Sequence, residues 1–357
     1  MNKYLVLFFT SVLLVSLFLA GCGNTKKHNT HEKMKNENRN VSTTKAGDRF
    51  IFTANEGGSI SKINVKNLKV VATFKIDGAV HNIQVSPNGK VVGATVMPNM
   101  SMHGDEHSTM DMKGKAIFFN PLTNKLIKEV EVGNHPAHIV FTKNGKYAVV
   151  TNNEDNDILV IDINKFSIIK TISTGKGPHG FRISDDSQFA YVANMGEDSV
   201  SVINLNTFNE EKKIHVGETP VTTGITSDGK TLVATLNKEN ALAIVDLATE
   251  KIVKIDVGVG PAQVYVQPDN KYAYIANQGS EQSPSHSLTK VDLKSKQITE
   301  TIETGKGSHG VVTSSDNKYT YVTNMFDNTV SVIDNSENKV IKTIKVGKTP
   351  NGISIMP

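Results

Sequence analysis

The 357-residue chain has one cysteine, no tryptophan and only three arginines, Arg39, Arg49 and Arg182, among 39 basic residues. A single cysteine excludes an internal disulfide framework, a CxxC redox pair, a cysteine-rich zinc site and covalent c-type haem attachment. The scarcity of arginine argues against bidentate recognition of bases and phosphates. A net charge of +4 over this length is ordinary solubility, so no nucleic-acid partner is expected. No Gly-x-Ser-x-Gly elbow is present, which removes the commonest serine-hydrolase signature. With 38% hydrophobic and 21% charged residues, the chain can bury a core and is not a disordered polymer.

The first segment reads as an address. Met1–Lys3 is a short positive start, and Tyr4–Leu19 is an almost unbroken apolar run, short for a membrane span and shaped like a signal peptide. The sequence Leu19-Ala20-Gly21-Cys22 resembles the lipobox of bacterial lipoproteins. That resemblance implies cleavage before Cys22 and lipidation of its sulfur; an ordinary signal peptide beside a chance cysteine is the alternative. The expected organisation is a signal peptide over 1–21, a lipidated polar tether over 22–48 and one folded domain over 49–357. Two or more acyl chains make a stable anchor, so the expected location is the outer face of the cell membrane, at the cell surface, with the membrane itself as the first partner.

Beyond residue 48 the chain repeats itself. Tyr319-Thr-Tyr-Val-Thr-Asn324 is followed by Thr329-Val-Ser-Val-Ile-Asp334 and Val340-Ile-Lys-Thr-Ile344. Phe189–Asn194, Ser199–Asn204 and Ile168–Ile172 are earlier copies, and the turn Ser86-Pro-Asn-Gly-Lys90 returns at Ser227 and, in altered form, at Ser315. Each element is short, rich in Val, Ile, Thr and Tyr, and bounded by Asn, Asp or Gly, as strands are. Four strands in a unit of about 42 residues indicate an all-β, seven-bladed β-propeller. The first blade starts at its second strand, Arg49–Ala54, and the chain ends on a first strand, Gly352–Pro357. Pairing the last strand with the first blade closes the ring and removes two exposed edges. The Tyr321-Val-Thr-Asn324 motif and its sequel resemble the YVTN family of propeller repeats, including YncE-like secreted propellers. The resemblance implies the fold; propellers host many unrelated activities.

The turn aligns the blades. The residue opening each innermost strand is His81, Ala137, His179, Val221, Ala262, His309 or Asn351, and the residue ending each second strand is Met97, Asn153, Met195, Asn237, Gln278, Met325 or Glu56. Histidine and methionine fall in the same three blades, on the face where both loops lie. His138 stands one step along in the third blade. Between Met97 and Met112 an inserted loop carries Met100, Met102, His103, His107, Met110 and Met112, and it resembles the Met/His-rich stretches of extracytoplasmic copper-handling proteins. Imidazole and thioether together select copper. These residues therefore predict a transition-metal site, most simply for copper, in metal handling or redox chemistry, with a metallochaperone or other protein as partner. Two other classes stay open. One is a scaffold binding a protein or cell-wall polymer; the other is a redox enzyme or haem-binding propeller, with haem the less favoured cofactor.

Overall fold

The structure, a computed structural model, describes residues 47–98 and 113–357. The signal peptide, Cys22, the tether up to residue 46 and the loop residues Met100, Met102, His103, His107, Met110 and Met112 lie outside the described residues.

Among the described residues there are twenty-eight strands and no helix, from β1 (Phe50–Asn55) to β28 (Pro350–Ile355). They form seven four-stranded antiparallel sheets. The innermost strands are β4 (Ala79–Val85), β8 (Pro136–Phe141), β12 (Pro178–Ile183), β16 (Pro220–Ile225), β20 (Pro261–Val266), β24 (Ser308–Thr313) and β28. Each packs against the next, and β28 against β4, so the ring closes. Closure runs through the first blade, whose strand order begins β28–β1. There Ile355 pairs with Ile51 and Ser354 with Phe52. The first blade is thus completed by the last strand of the chain, β28.

The core lies between blades. Phe181 and Ile183 of β12 pack with Val149, Val160 and Val192, and Ile139 and Phe141 of β8 pack with Phe118 and Val150. Alternation along each strand sends successive side chains to opposite neighbouring blades. Outer strands carry the charged residues, as in Asn209–His215, where only Ile214 is buried.

The threonine and asparagine of the Tyr-Val-Thr-Asn motif have distinct tasks. Thr151 Oγ1 accepts from the His138 amide at 2.9 Å and donates to the His179 carbonyl of the next blade at 2.8 Å. Thr323 repeats this with Gly310 and Asn351, at 2.7 and 2.9 Å, and Thr235 with Thr222 and Ala262, at 3.1 and 2.9 Å. One buried hydroxyl thereby satisfies two backbone groups and ties adjacent blades. The asparagine binds its own blade's third strand: Asn324 Nδ2 donates to Thr329 and Ser331 hydroxyls, both at 2.9 Å. Two lysines add a further link between neighbours. Lys62 Nζ donates to Asn124 at 3.0 Å and lies 3.9 Å over the Phe50 ring, and burial pushes its ammonium down to about 8. Lys290 Nζ reaches Asn338 in the same manner at 2.8 Å.

Candidate metal centre

The innermost strands begin with a recurring irregularity. Each is entered by a residue in the left-handed region: Gly78, His135, Gly177, Thr219, Gly260, Gly307 or Thr349. A bulge follows at once. In β4 the register passes from Val80↔Val96 to Asn82↔Thr95, leaving His81 as the extra residue. In β12 it shifts between Pro178 and Phe181, across His179 and Gly180, and in β8 between Pro136 and Ile139, across Ala137 and His138. A bulge interrupts alternation and re-aims side chains, so consecutive positions can be turned towards the same place.

That is where His81, His138 and His179 meet. One ring nitrogen from each lies within 4.8 Å of the others, and all three residues are buried. The His81 and His179 Nε2 atoms are 3.2 Å apart. The His138 and His179 rings are 4.8 Å apart between centroids, and those of His81 and His138 are 6.0 Å apart. Among the described residues these three histidines could hold a metal ion.

The outer partners set the protonation. His81 Nδ1 lies 2.8 Å from Glu56 Oε1, which also accepts from the Asn351 amide at 2.7 Å. Burial opposes ionisation of Glu56, but the His81 hydrogen bond and charge, with Asn351, outweigh it and hold the carboxyl down at about 2. His179 Nδ1 donates to the Val221 carbonyl at 3.1 Å. The Asn351 side-chain nitrogen also lies 3.2 Å from His81 Nδ1, and the Glu56 carboxylate and Val221 carbonyl, as acceptors, assign a hydrogen to each Nδ1, which turns the two Nε2 atoms towards each other as acceptors. Two acceptors at 3.2 Å repel unless a cation lies between them, either a metal ion or a proton that makes His81 an imidazolium against Glu56. Two imidazoles on one tetrahedral ion at about 2.0–2.1 Å would stand about 3.3 Å apart, close to the 3.2 Å between His81 and His179, with the three nitrogens all within 4.8 Å. His138 completes the case: neither of its buried ring nitrogens has a hydrogen-bond partner. Burial first, then the neighbouring histidine and Arg182 charges, hold it well below the ordinary imidazole range, so it is a neutral donor of lone pairs. Burial, followed by the His81 charge, pushes His179 down to about 3.

The other expected ligands sit as follows. His309 is buried across the ring, with Nδ1 3.5 Å from Gln263 Nε2, and it is not one of the three clustered histidines. Burial and the His81 charge push it down to about 4, against the pull of Glu56. Met97 pairs with Ala79, and the Met195 and Met325 amides bond to the Gly177 and Gly307 carbonyls. Each methionine therefore faces the residue two places before its blade's histidine. Met325 Sδ accepts from Gln278 Nε2 at 3.2 Å. His135 is exposed at the rim, 3.4 Å from Glu154. Sequence reasoning aligned Glu56 with Asn351 but did not include it in the site. The available signal was that it replaces the methionine or amide found at the strand end in every other blade.

A family model described as a YNCE-like beta-propeller matches residues 100–272. No curated protein matches the chain. Among solved structures, hydrazine synthase of Kuenenia stuttgartiensis is similar over 78% of this chain and 90% of its own, at 21% identity and a TM-score of 0.67. A functionally unknown protein of Desulfotomaculum acetoxidans is similar over 86% of this chain and 98% of its own, at 13% identity and a TM-score of 0.71. At such identities the likeness is one of fold. The chain is thus a seven-bladed β-propeller that is similar, over residues 100–272, to the YNCE-like beta-propeller family.

Proposed function

We propose that this propeller is a lipid-anchored, extracytoplasmic metal-handling protein that holds one transition-metal ion, copper, on His81, His138 and His179. One observation carries the reading. Two Nε2 atoms oppose each other at 3.2 Å while both Nδ1 atoms are engaged by acceptors, and a third buried imidazole beside them is wholly unpartnered. Glu56 acts as the outer carboxylate that fixes the His81 tautomer, as is usual for metal-bound histidine. Nitrogen donors bind Cu(II) more tightly than other divalent first-row ions. The thioethers of Met97, Met195 and Met325, which end the second strands of three blades, together with the Met/His-rich loop sequence, support copper over zinc. The lipobox-like Leu19–Cys22 supports the anchor, and its test is whether Cys22→Ala releases the protein from membranes.

The metal reading is tested by titrating the metal-free protein with Cu(II), Cu(I) and Zn(II), alongside the His81/His138/His179→Ala triple variant. The expected result is one tight copper equivalent in the parent, weaker zinc, and loss of that equivalent in the variant. Unchanged binding in the triple variant overturns the site, and zinc binding as tightly as copper overturns the choice of metal. No tight equivalent in the parent assigns the central cation to a proton.

A further inference from the structure

The outer strands of the ring differ in charge. β27 (Lys339–Lys345) is the outer strand of the seventh blade and β3 (Lys69–Lys75) that of the first. Together they carry five lysines and no acidic residue. Elsewhere lysines are matched or missing. On β15 (Asn209–His215), Lys212 pairs with Glu250 and Lys213 with Glu197, while β23 (Gln297–Glu303) holds two glutamates and no lysine. Lys66, in the turn before β3, is exposed, as are Lys69, Lys339, Lys342 and Lys345. Among the described residues no carboxylate pairs with any of these five.

The lysines share one place. β3 and β27 lie against each other, and Leu68, between Lys66 and Lys69, packs into the same core as Val332 and Ile344 of the seventh blade. Over 64–75 and 334–345, six lysines stand against Asp334 and Glu337, a net +4 that equals the charge of the whole chain. An apolar residue stands among them. The pairing of β26 (Thr329–Asp334) with β27 passes from Val332↔Lys342 to Ile333↔Val340, leaving Ile341 as an extra residue, 47% exposed. Charge and bulges also protect an edge strand from pairing with another chain. Charge of either sign meets that need, as the glutamates of β23 do, so it does not account for one sign over two adjoining blades. The chain also enters the ring here: the Val65 amide donates to the Arg49 carbonyl at 3.0 Å, one residue before Lys66. The segment that leads back to Cys22 therefore joins the ring beside the lysines.

We propose that the adjoining outer edges of blades seven and one dock on the anionic surface of a lipid bilayer, with the lysines over the headgroups and Ile341 at the boundary of the acyl chains. Basic side chains gain from anionic headgroups within a Debye length, and an apolar side chain among them adds burial. The proposal rests on the membrane placement given above and adds which face of the ring meets the membrane. The bulge interrupts the edge, so a pairing strand from a protein fits less well. A soluble polyanion would use the lysines but not the isoleucine. Contact through the outer edge leaves the central channel clear of the bilayer.

The test uses the mature chain, residues 22–357, with Cys22→Ser so that no acyl chain is present. Co-sedimentation is measured with vesicles of phosphatidylcholine alone or in equal parts with phosphatidylglycerol. Binding to the mixed vesicles only, lost as salt rises, is expected. Lys339/Lys342/Lys345→Gln should weaken it about a hundred-fold, near five-fold for each lysine. Lys66/Lys69→Gln should weaken it about twenty-fold, and takes the place of the triple variant if that does not fold. Lys165/Lys170→Gln removes the same charge from the outer edge of blade three and should leave binding unchanged. Ile341→Ser should weaken binding to vesicles several-fold and leave binding to soluble polyphosphate as it was. Release of Cys22→Ala from membranes tests the anchor, whereas this binding tests the docking face without it. No preference for the mixed vesicles, or equal losses from Lys66/Lys69→Gln and Lys165/Lys170→Gln, overturns the proposal. Vesicle binding that is indifferent to Ile341→Ser, with polyphosphate bound more tightly than lipid, overturns the bilayer as the occupant.

Discussion

Blades three and five share a backbone and differ in what they show to the channel. In both, the amide after the strand opening donates to a threonine hydroxyl, Thr151 or Thr235, and that hydroxyl donates to the next blade's opening carbonyl. Yet the residues so held are His138 and His179 on one side of the ring, and Thr222 and Ala262 on the other. The staple engages only main-chain atoms at these positions. The staple therefore leaves the identity of the side chains there open, so one arc of the ring can carry imidazoles while the next carries small residues.

The sharpest way to break this comparison is to remove what both arcs share. Deleting residues 350–357 takes away β28, the innermost strand of the first blade and the acceptor of the Thr323 staple. Loss of the cooperative unfolding transition is expected by differential scanning calorimetry; an unchanged midpoint would refute closure through β28. Acid should act next, on the histidine arc. In the metal-free protein His179 and His309 are pushed down to about 3 and about 4, while in the unfolded chain they titrate near ~6.5. Below that pH the unfolded state binds more protons, so stability is full above ~6.5 and falls as pH drops towards 4. Urea midpoints measured across this window should decline, and His309→Asn should flatten the decline.

A single staple is a smaller perturbation. Thr323→Val leaves the Gly310 amide and the Asn351 carbonyl unsatisfied, at about 1–3 kcal/mol. Denaturant unfolding should register this loss. The smallest effect has the opposite sign. His138→Leu replaces a buried imidazole that lacks any partner, so the metal-free protein should gain about 1 kcal/mol and lose its metal. A destabilised leucine variant would mean that His138 has a structural role after all.

Much of this architecture is written plainly in the chain. Strand positions, blade count and the mixed first blade follow from the Tyr-Val-Thr-Asn repeats, because a threonine that must bridge two blades recurs at a fixed place. Aligning the openings singles out His81 and His179 for the same reason. His138 is one place further along, and simple alternation would turn it away from them. The bulge brings it back, and a bulge is a matter of pairing register that no periodicity displays. Glu56 aligns with Asn351, 295 residues away, but its contact with His81 crosses from one blade to the next, which the repeat alignment does not display.

That last contact has a kinetic consequence. Asn351 belongs to β28, Glu56 follows β1, and His81 opens β4, so the support of the cluster straddles the seam of the ring. Contacts between such remote residues form late in folding. During synthesis, the final strand must dock before Glu56 acquires its amide partner and the central imidazole its outer brace. Conversely, peeling of β28 by local opening would unbrace the cluster before any other blade unfolds. Whatever occupies the centre would therefore slow that opening, and amide exchange along Pro350–Ile355 would act as a clock for occupancy. The seam is both the last part of the ring to be made and the part whose lifetime the ligand controls.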